Sequence, residues 1–125
     1  WHEWRDGAFW VIARQRSRWA DYMAADPRVG WTIDLPDTLE KVMGKGRAEV
    51  VHEPVVEGQW VEIAERMSYR YLGPNGPTYL TSTIDQPRWL FKLTPHWTRT
   101  WRGNGWARSY WVEGQGVSYE QAHGL

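Results

Sequence analysis

At 125 residues and without a cysteine, the chain fits one domain around a single core, with neither disulfides nor thiolate chemistry available to a site. Fifteen basic and fifteen acidic side chains cancel, which removes the long-range field that draws proteins to nucleic acid or to an anionic membrane. No apolar run reaches the roughly 18 residues of a spanning helix and no signal-peptide pattern opens the chain, so a cytoplasmic location and no membrane partner are expected.

In chain order, Trp1 to Trp4 reads as an aromatic strand, Arg5-Asp6-Gly7 carries the Asp-Gly hairpin signal, and Ala8 to Ala13 reads as the returning strand. A chain that begins directly on a strand implies a segment upstream of it. Ser17 is placed to cap a helix running to Asp26, with Trp19, Tyr22 and Met23 at i, i+3 and i+4 and Pro27 as the stop. Arg28 to Leu35 then alternates, Val29, Trp31, Ile33 and Leu35 opposing Gly30, Thr32 and Asp34, which predicts a strand.

Leu39 to His52 is extended again, with a bulge or a close backbone approach predicted at Gly44-Lys45-Gly46. Trp60, Ile63, Ala64, Met67 and Tyr71 recur with helical spacing, and Gly73-Pro74 ends that helix. The Pro74-Asn75-Gly76-Pro77 stretch reads as a turn, followed by one or two helical turns within Thr78 to Ile84. Trp89, Phe91 and Leu93 predict a strand up to Pro95, and Trp97 to Trp101 a separate one. The Gly-rich tail from Arg102 has aromatics but no sustained period. Six strands, two helices between strand pairs and no βαβ rhythm predict a mainly β fold: a single domain over 1–125, an antiparallel barrel with peripheral helices.

Eleven tryptophans are the compositional outlier. Each buried ring removes about 150–250 Å² from water, so most are expected in core or subunit interface, with a minority left to line a ligand.

Three stretches are candidates for chemistry. Arg14-Gln15-Arg16-Ser17-Arg18 sets guanidiniums and a hydroxyl between a strand end and a helix N-terminus, where unpaired backbone N–H groups and arginine forks suit a phosphate. A solvated basic turn with Ser17 as an ordinary cap explains the same residues. Lys41 to Arg47 combines close-approach glycines with Lys41, Lys45 and Arg47, and reads equally as a bulged strand whose lysines discourage edge pairing. Trp97 to Arg108 alternates rings and cations that suit a planar heterocycle or a packed interface. His2, His52, His96 and His123 have no metal-ligand spacing, and no nucleophile-elbow, P-loop or dinucleotide motif is present.

The order Asp6-Gly7-Ala8-Phe9-Trp10, Arg16-Ser17-Arg18, Asp26-Pro27-Arg28-Val29 and Gly46-Arg47-Ala48-Glu49-Val50, then Arg70-Tyr71-Leu72-Gly73, Leu93-Thr94-Pro95 and Trp101, resembles the pyridoxamine 5′-phosphate oxidase-like split-barrel family over roughly residues 1–111. The resemblance implies a six-stranded antiparallel split barrel of the FMN-binding type. It also implies a homodimer with flavin mononucleotide, or a deazaflavin (coenzyme F-420), in a groove between subunits. On that template Ser17 and Arg18, with Arg16 beside them, hold the phosphate, and Ile12 and Ala13 lie on the strand beside the cofactor. Lys41 falls near the ring system, Trp101 matches a tryptophan of the groove, and Arg108 is a looser counterpart nearby. Trp19 stands where the oxidase proper has a phosphate-binding lysine, and the family's leading helix and first strand are missing from this stretch of chain.

The function implied is a flavin-dependent oxidoreductase acting on a small organic substrate, the cofactor transferring hydride and the protein orienting it. The alternatives are a deazaflavin-dependent reductase and a non-catalytic flavin or haem binder of the same fold. A nucleic-acid or carbohydrate binder is disfavoured by the zero net charge and by tryptophans set at strand periodicity.

Overall fold

Asp6 and Gly7 take φ of 53° and 72°, the two left-handed residues that a two-residue hairpin loop requires. In the computed structural model, which describes residues 1–35 and 37–103, they join β1 (Glu3–Arg5) to β2 (Ala8–Arg14). Helix α1 (Arg18–Ala25) starts at Ser17 and ends at Asp26, whose N–H donates to the Tyr22 carbonyl. Strands β3 (Arg28–Leu35) and β4 (Glu40–Val55) follow as an antiparallel pair. Helix α2 (Trp60–Leu72) stops at Gly73, a short 3-10 turn covers Gly73–Asn75, and α3 (Gly76–Thr81) leads to β5 (Arg88–Arg102). The turn predicted at Pro74 to Pro77 is therefore helical: Pro77 sits in the first turn of α3, where its missing N–H costs nothing.

The strands form one antiparallel sheet in the order β1-β2-β5-β4-β3, so the last strand is the central one. There are five strands among the described residues rather than six, and β1 and β3 remain edges, so the sheet does not close into a barrel. The sixth strand disappears because the two segments either side of Pro95 are continuous in β5. The ladder accommodates proline by slipping: Pro95 lies opposite Gly46 and Trp97 opposite Lys45, which leaves His96 without a partner.

That slip inverts the side-chain phase. Up to Leu93, odd-numbered side chains of β5 join the core that contains Phe9, Ala13, Ala20, Phe91 and Leu93. Beyond it, Thr98 pairs with Gly44, which in turn faces Trp31 of that core, so Trp97, Arg99 and Trp101 turn to the opposite face. Tryptophans that share a parity in sequence thus lie on different faces of one strand.

Each face of the sheet has its own core. On one, α2 and α3 deliver Trp60, Ile63, Ala64, Met67 and Leu80 against Trp10 and Leu90; on the other, Ala20 and Met23 of α1 pack against Phe91 and Phe9. Among the nine described tryptophans, Trp1, Trp4, Trp19, Trp97 and Trp101 keep 40–52 % of their surface exposed, so much of the aromatic surplus lies outside the cores.

Strand β1 is tied to α2 by Arg66, whose Nε and Nη2 each donate to a carboxylate oxygen of Glu3 at 2.9 Å. The Arg66 hydrogen bond holds the Glu3 carboxyl below its ordinary pKa. A depressed carboxyl adds stability above its unfolded-state pKa and loses it as pH falls through the folded value. Since Arg66 is nearly half exposed, the pair is worth about 0.5–1 kcal/mol after solvent screening. Glu3→Gln is expected to lower stability by that amount at pH 7 and to match the parent at pH 3. Urea midpoints at the two pH values check this, and an equal difference at both would contradict it.

Candidate functional site

Strand β2 ends at Arg14, and the chain turns at once, the Gln15 N–H donating to the Pro87 carbonyl and the Ser17 N–H to the Arg14 carbonyl. Ser17 is extended, with φ −79° and ψ 108°, as an N-cap residue should be, yet its hydroxyl makes no capping bond to the helix. Arg16 and Arg18 are exposed, and neither has a carboxylate partner among the described residues. Arg14, Gln15 and Arg16 border a cleft of about 260 Å³ with Gln86 and Pro87 on its far side. A short backbone turn, an uncommitted hydroxyl and unpaired guanidiniums at a helix start make an anion-accepting corner.

The two strand residues predicted beside it diverge. Ile12 is half-buried and faces α2, where it lines an open recess, whereas Ala13 is buried in the opposite core.

Lys41 and Trp101 are brought together as cross-strand partners on β4 and β5, with Asp34 of β3 facing Lys41 on its other side. The Lys41 Nζ lies 5.2 Å from the Trp101 ring centroid and 3.4 Å from Asp34 Oδ1, so its charge is already shared. Lys45 and Arg99 flank Trp97 in the same manner, each 5.7 Å from its ring. Beside this ladder is a cavity of about 290 Å³ lined by Ile33, Leu35, Lys41, Val42 and Trp101 among others. Arg108 lies outside the described residues.

The glycines of the Lys41 to Arg47 stretch serve the chain itself. A side-chain carbon on Gly44 would meet the Trp31 indole, and one on Gly46 the Thr94 carbonyl, so neither close approach is left for a ligand. Lys45 and Arg47 border an open depression at the bulge together with Arg28. Arg28 is engaged by Asp26, whose carboxyl that hydrogen bond holds down at about 2.

The cationic corner and the Lys41–Trp101 pair are not adjacent in one chain. Arg14 pairs with Arg88 at the start of β5, and Trp101 stands thirteen residues further along that strand, about 40 Å at the usual rise.

One feature escaped sequence reasoning. Antiparallel register sets Arg14 directly opposite Arg88, and the two share a recess of about 190 Å³ with Trp1, Ile12, Met67, Tyr79 and Leu80. Burial, followed by the facing Arg14 charge, lowers the pKa of Arg88. No local signal marks this pair, because its members are 74 positions apart. Among the described residues no group of three His, Asp or Glu side chains is placed to hold a metal ion, and no helix is long and apolar enough to cross a membrane.

No protein-family model and no curated protein matches the chain. Among solved structures, the conserved hypothetical protein Rv2991 from Mycobacterium tuberculosis aligns with a TM-score of 0.60 at 26 % identity, over 97 % of this chain and 74 % of that one. A protein from Clostridium acetobutylicum, described as related to general stress protein 26 of B. subtilis and of the pyridoxinephosphate oxidase family, aligns with a TM-score of 0.50 at 13 % identity. That match covers 78 % of this chain and 61 % of the other, and it is a likeness of fold alone.

Proposed function

We propose that the chain is a subunit of a homodimeric oxidoreductase that binds flavin mononucleotide and acts on a small organic substrate. The observation that carries this reading is the corner at Arg16, Ser17 and Arg18: two exposed cations without acidic partners among the described residues and a hydroxyl unused by its own helix. These groups fit a phosphate monoester, which accepts several charge-assisted hydrogen bonds at a helix start. The fold likeness to a protein described as of the pyridoxinephosphate oxidase family agrees with the resemblance read from the sequence. A deazaflavin carries a phosphate beside a similar tricyclic ring, so it is the alternative ligand for this corner.

Distance supports the dimer. A coenzyme held at the corner does not also reach Trp101 of the same chain, so the ring end would be supplied by a second copy, and the exposed Trp97–Trp101 face is a surface suited to that contact. The bound coenzyme would supply hydride transfer at N5 of its ring. The chain's own part is to fix the phosphate through Arg16, Arg18 and Ser17 and to stack Trp101 against a flat surface. Lys41, tethered by Asp34, keeps the Trp101 ring in place from its far side.

Arg18→Ala is expected to weaken binding of flavin mononucleotide roughly ten- to a hundredfold, the loss of one charge-assisted hydrogen bond of about 1.5–3 kcal/mol. A fluorescence titration of the purified protein measures it, with deazaflavin titrated in parallel. Uptake of neither coenzyme at micromolar concentration would refute the proposal.

A further inference from the structure

Two arginines placed opposite each other on neighbouring strands repel, and such pairs are ordinarily relieved by a carboxylate. Arg14 and Arg88 have none among the described residues. Among the described residues, Arg14 donates only to the Gln86 side-chain oxygen, at 3.3 Å, and Arg88 only to the carbonyl and hydroxyl of Thr83. The Nε of Arg88 is buried without an acceptor among the described residues, an unfavourable state for a charged donor. Both arginines line one open recess.

The rest of the recess specifies the body of an anion bound there. Ile12 and Leu80 contribute an apolar floor, and the rings of Trp1 and Tyr79, with centroids 5.8 Å apart, form a partly exposed aromatic wall. Its volume of about 190 Å³ compares with the roughly 150 Å³ of an apolar cavity that takes up one benzene. One six-membered ring fits, and a tricyclic coenzyme does not.

We propose that this recess binds a small planar monocarboxylate of the benzoate type, its carboxylate bridging Arg14 and Arg88 and its ring lying between the Tyr79–Trp1 wall and the Ile12–Leu80 floor. The site is independent of the coenzyme reading. Arg14 borders both recesses, but Arg88 does not line the corner cleft, so substitutions at Arg88 separate the two.

The experiment is calorimetric titration of the full chain with benzoate and with benzamide, its uncharged analogue. Benzoate is expected to saturate a single site per chain and benzamide to bind at least tenfold more weakly. Arg88→Gln is expected to weaken benzoate at least tenfold, and Arg18→Ala to leave it unchanged. Because Arg88 also stacks 5.0 Å above the Trp60 ring, circular dichroism must show the variant folded, and Tyr79→Leu, at a half-exposed ring, gives a second loss of benzoate affinity without touching the core. Absence of saturable benzoate binding at millimolar concentration, equal affinity for benzamide, or full benzoate affinity in both folded variants would overturn the assignment. Failure of flavin binding in the same protein leaves these outcomes unaffected.

Discussion

Trp60→Ala is expected to remove about 3–5 kcal/mol of folding stability, the range for truncating a buried tryptophan. The side chain is wholly buried at the start of α2, where it meets Trp10 and Leu90 of the sheet. Its Nε1 donates to the Val55 carbonyl at 2.9 Å, which joins the end of β4 to the first turn of the helix. Truncation opens a cavity and strands that carbonyl. Against a total of about 5–15 kcal/mol for a domain, roughly a fifth or more of the stability goes at once. Trp60→Phe retains most of the volume and loses mainly the hydrogen bond, so a smaller loss of about 1–3 kcal/mol is expected. Urea unfolding of both variants gives the ordering, and a Trp60→Ala protein within 1 kcal/mol of the parent, by the scale of ordinary surface changes, would show that α2 is not anchored this way.

Gly46→Ala has the second largest effect, because its obstacle is backbone. An added side-chain carbon would lie 2.1 Å from the Thr94 carbonyl oxygen and 2.9 Å from the Pro95 Cα, and neither moves without displacing β5. A cost near the top of the overpacking range, about 3 kcal/mol, is expected. Gly30→Ala is the control: its new carbon would meet only the Gly44 carbonyl, at 3.7 Å, and stability should stay within about 0.5 kcal/mol. The two variants also differ in the ladder. Displacing β5 at the bulge loosens the register that sets Trp97 on Lys45 and Trp101 on Lys41, so a change in exposed-tryptophan fluorescence is expected for Gly46→Ala alone. Equal stability of the two variants would remove the bulge from its role in seating these rings.

Both substitutions bear on the candidate sites as well as on the fold. Trp60 is the platform beneath Arg88, so its loss reaches the arginine pair, whereas the bulge at Gly46 decides which face of β5 carries the Trp101 end of the proposed coenzyme groove. The corner at Arg16, Ser17 and Arg18 depends on neither. It is built from consecutive residues between β2 and α1, and its geometry is set by the Ser17 N–H bond to the Arg14 carbonyl.

Features specified by near neighbours in the chain were legible from the residues alone. Asp6-Gly7 turned the hairpin, the alternation of Arg28 to Leu35 made β3 with the predicted ends, and the spacing of Trp60, Ile63, Ala64 and Met67 made α2 with Gly73 as its stop. The cationic corner was legible for the same reason, since a motif of adjacent residues keeps its members together whatever the rest of the chain does. The tertiary structure alone decided that the segments around Pro95 are one strand, that β5 lies between β2 and β4, and that Trp97 and Trp101 turn away from the core. It alone also set Arg14 against Arg88 and parted the corner from Trp101 by most of a strand. The physical reason is that strand periodicity defines a face only relative to a partner: one unpaired residue at His96 reverses it, and the register that creates such a slip is fixed by pairing between residues far apart in the chain.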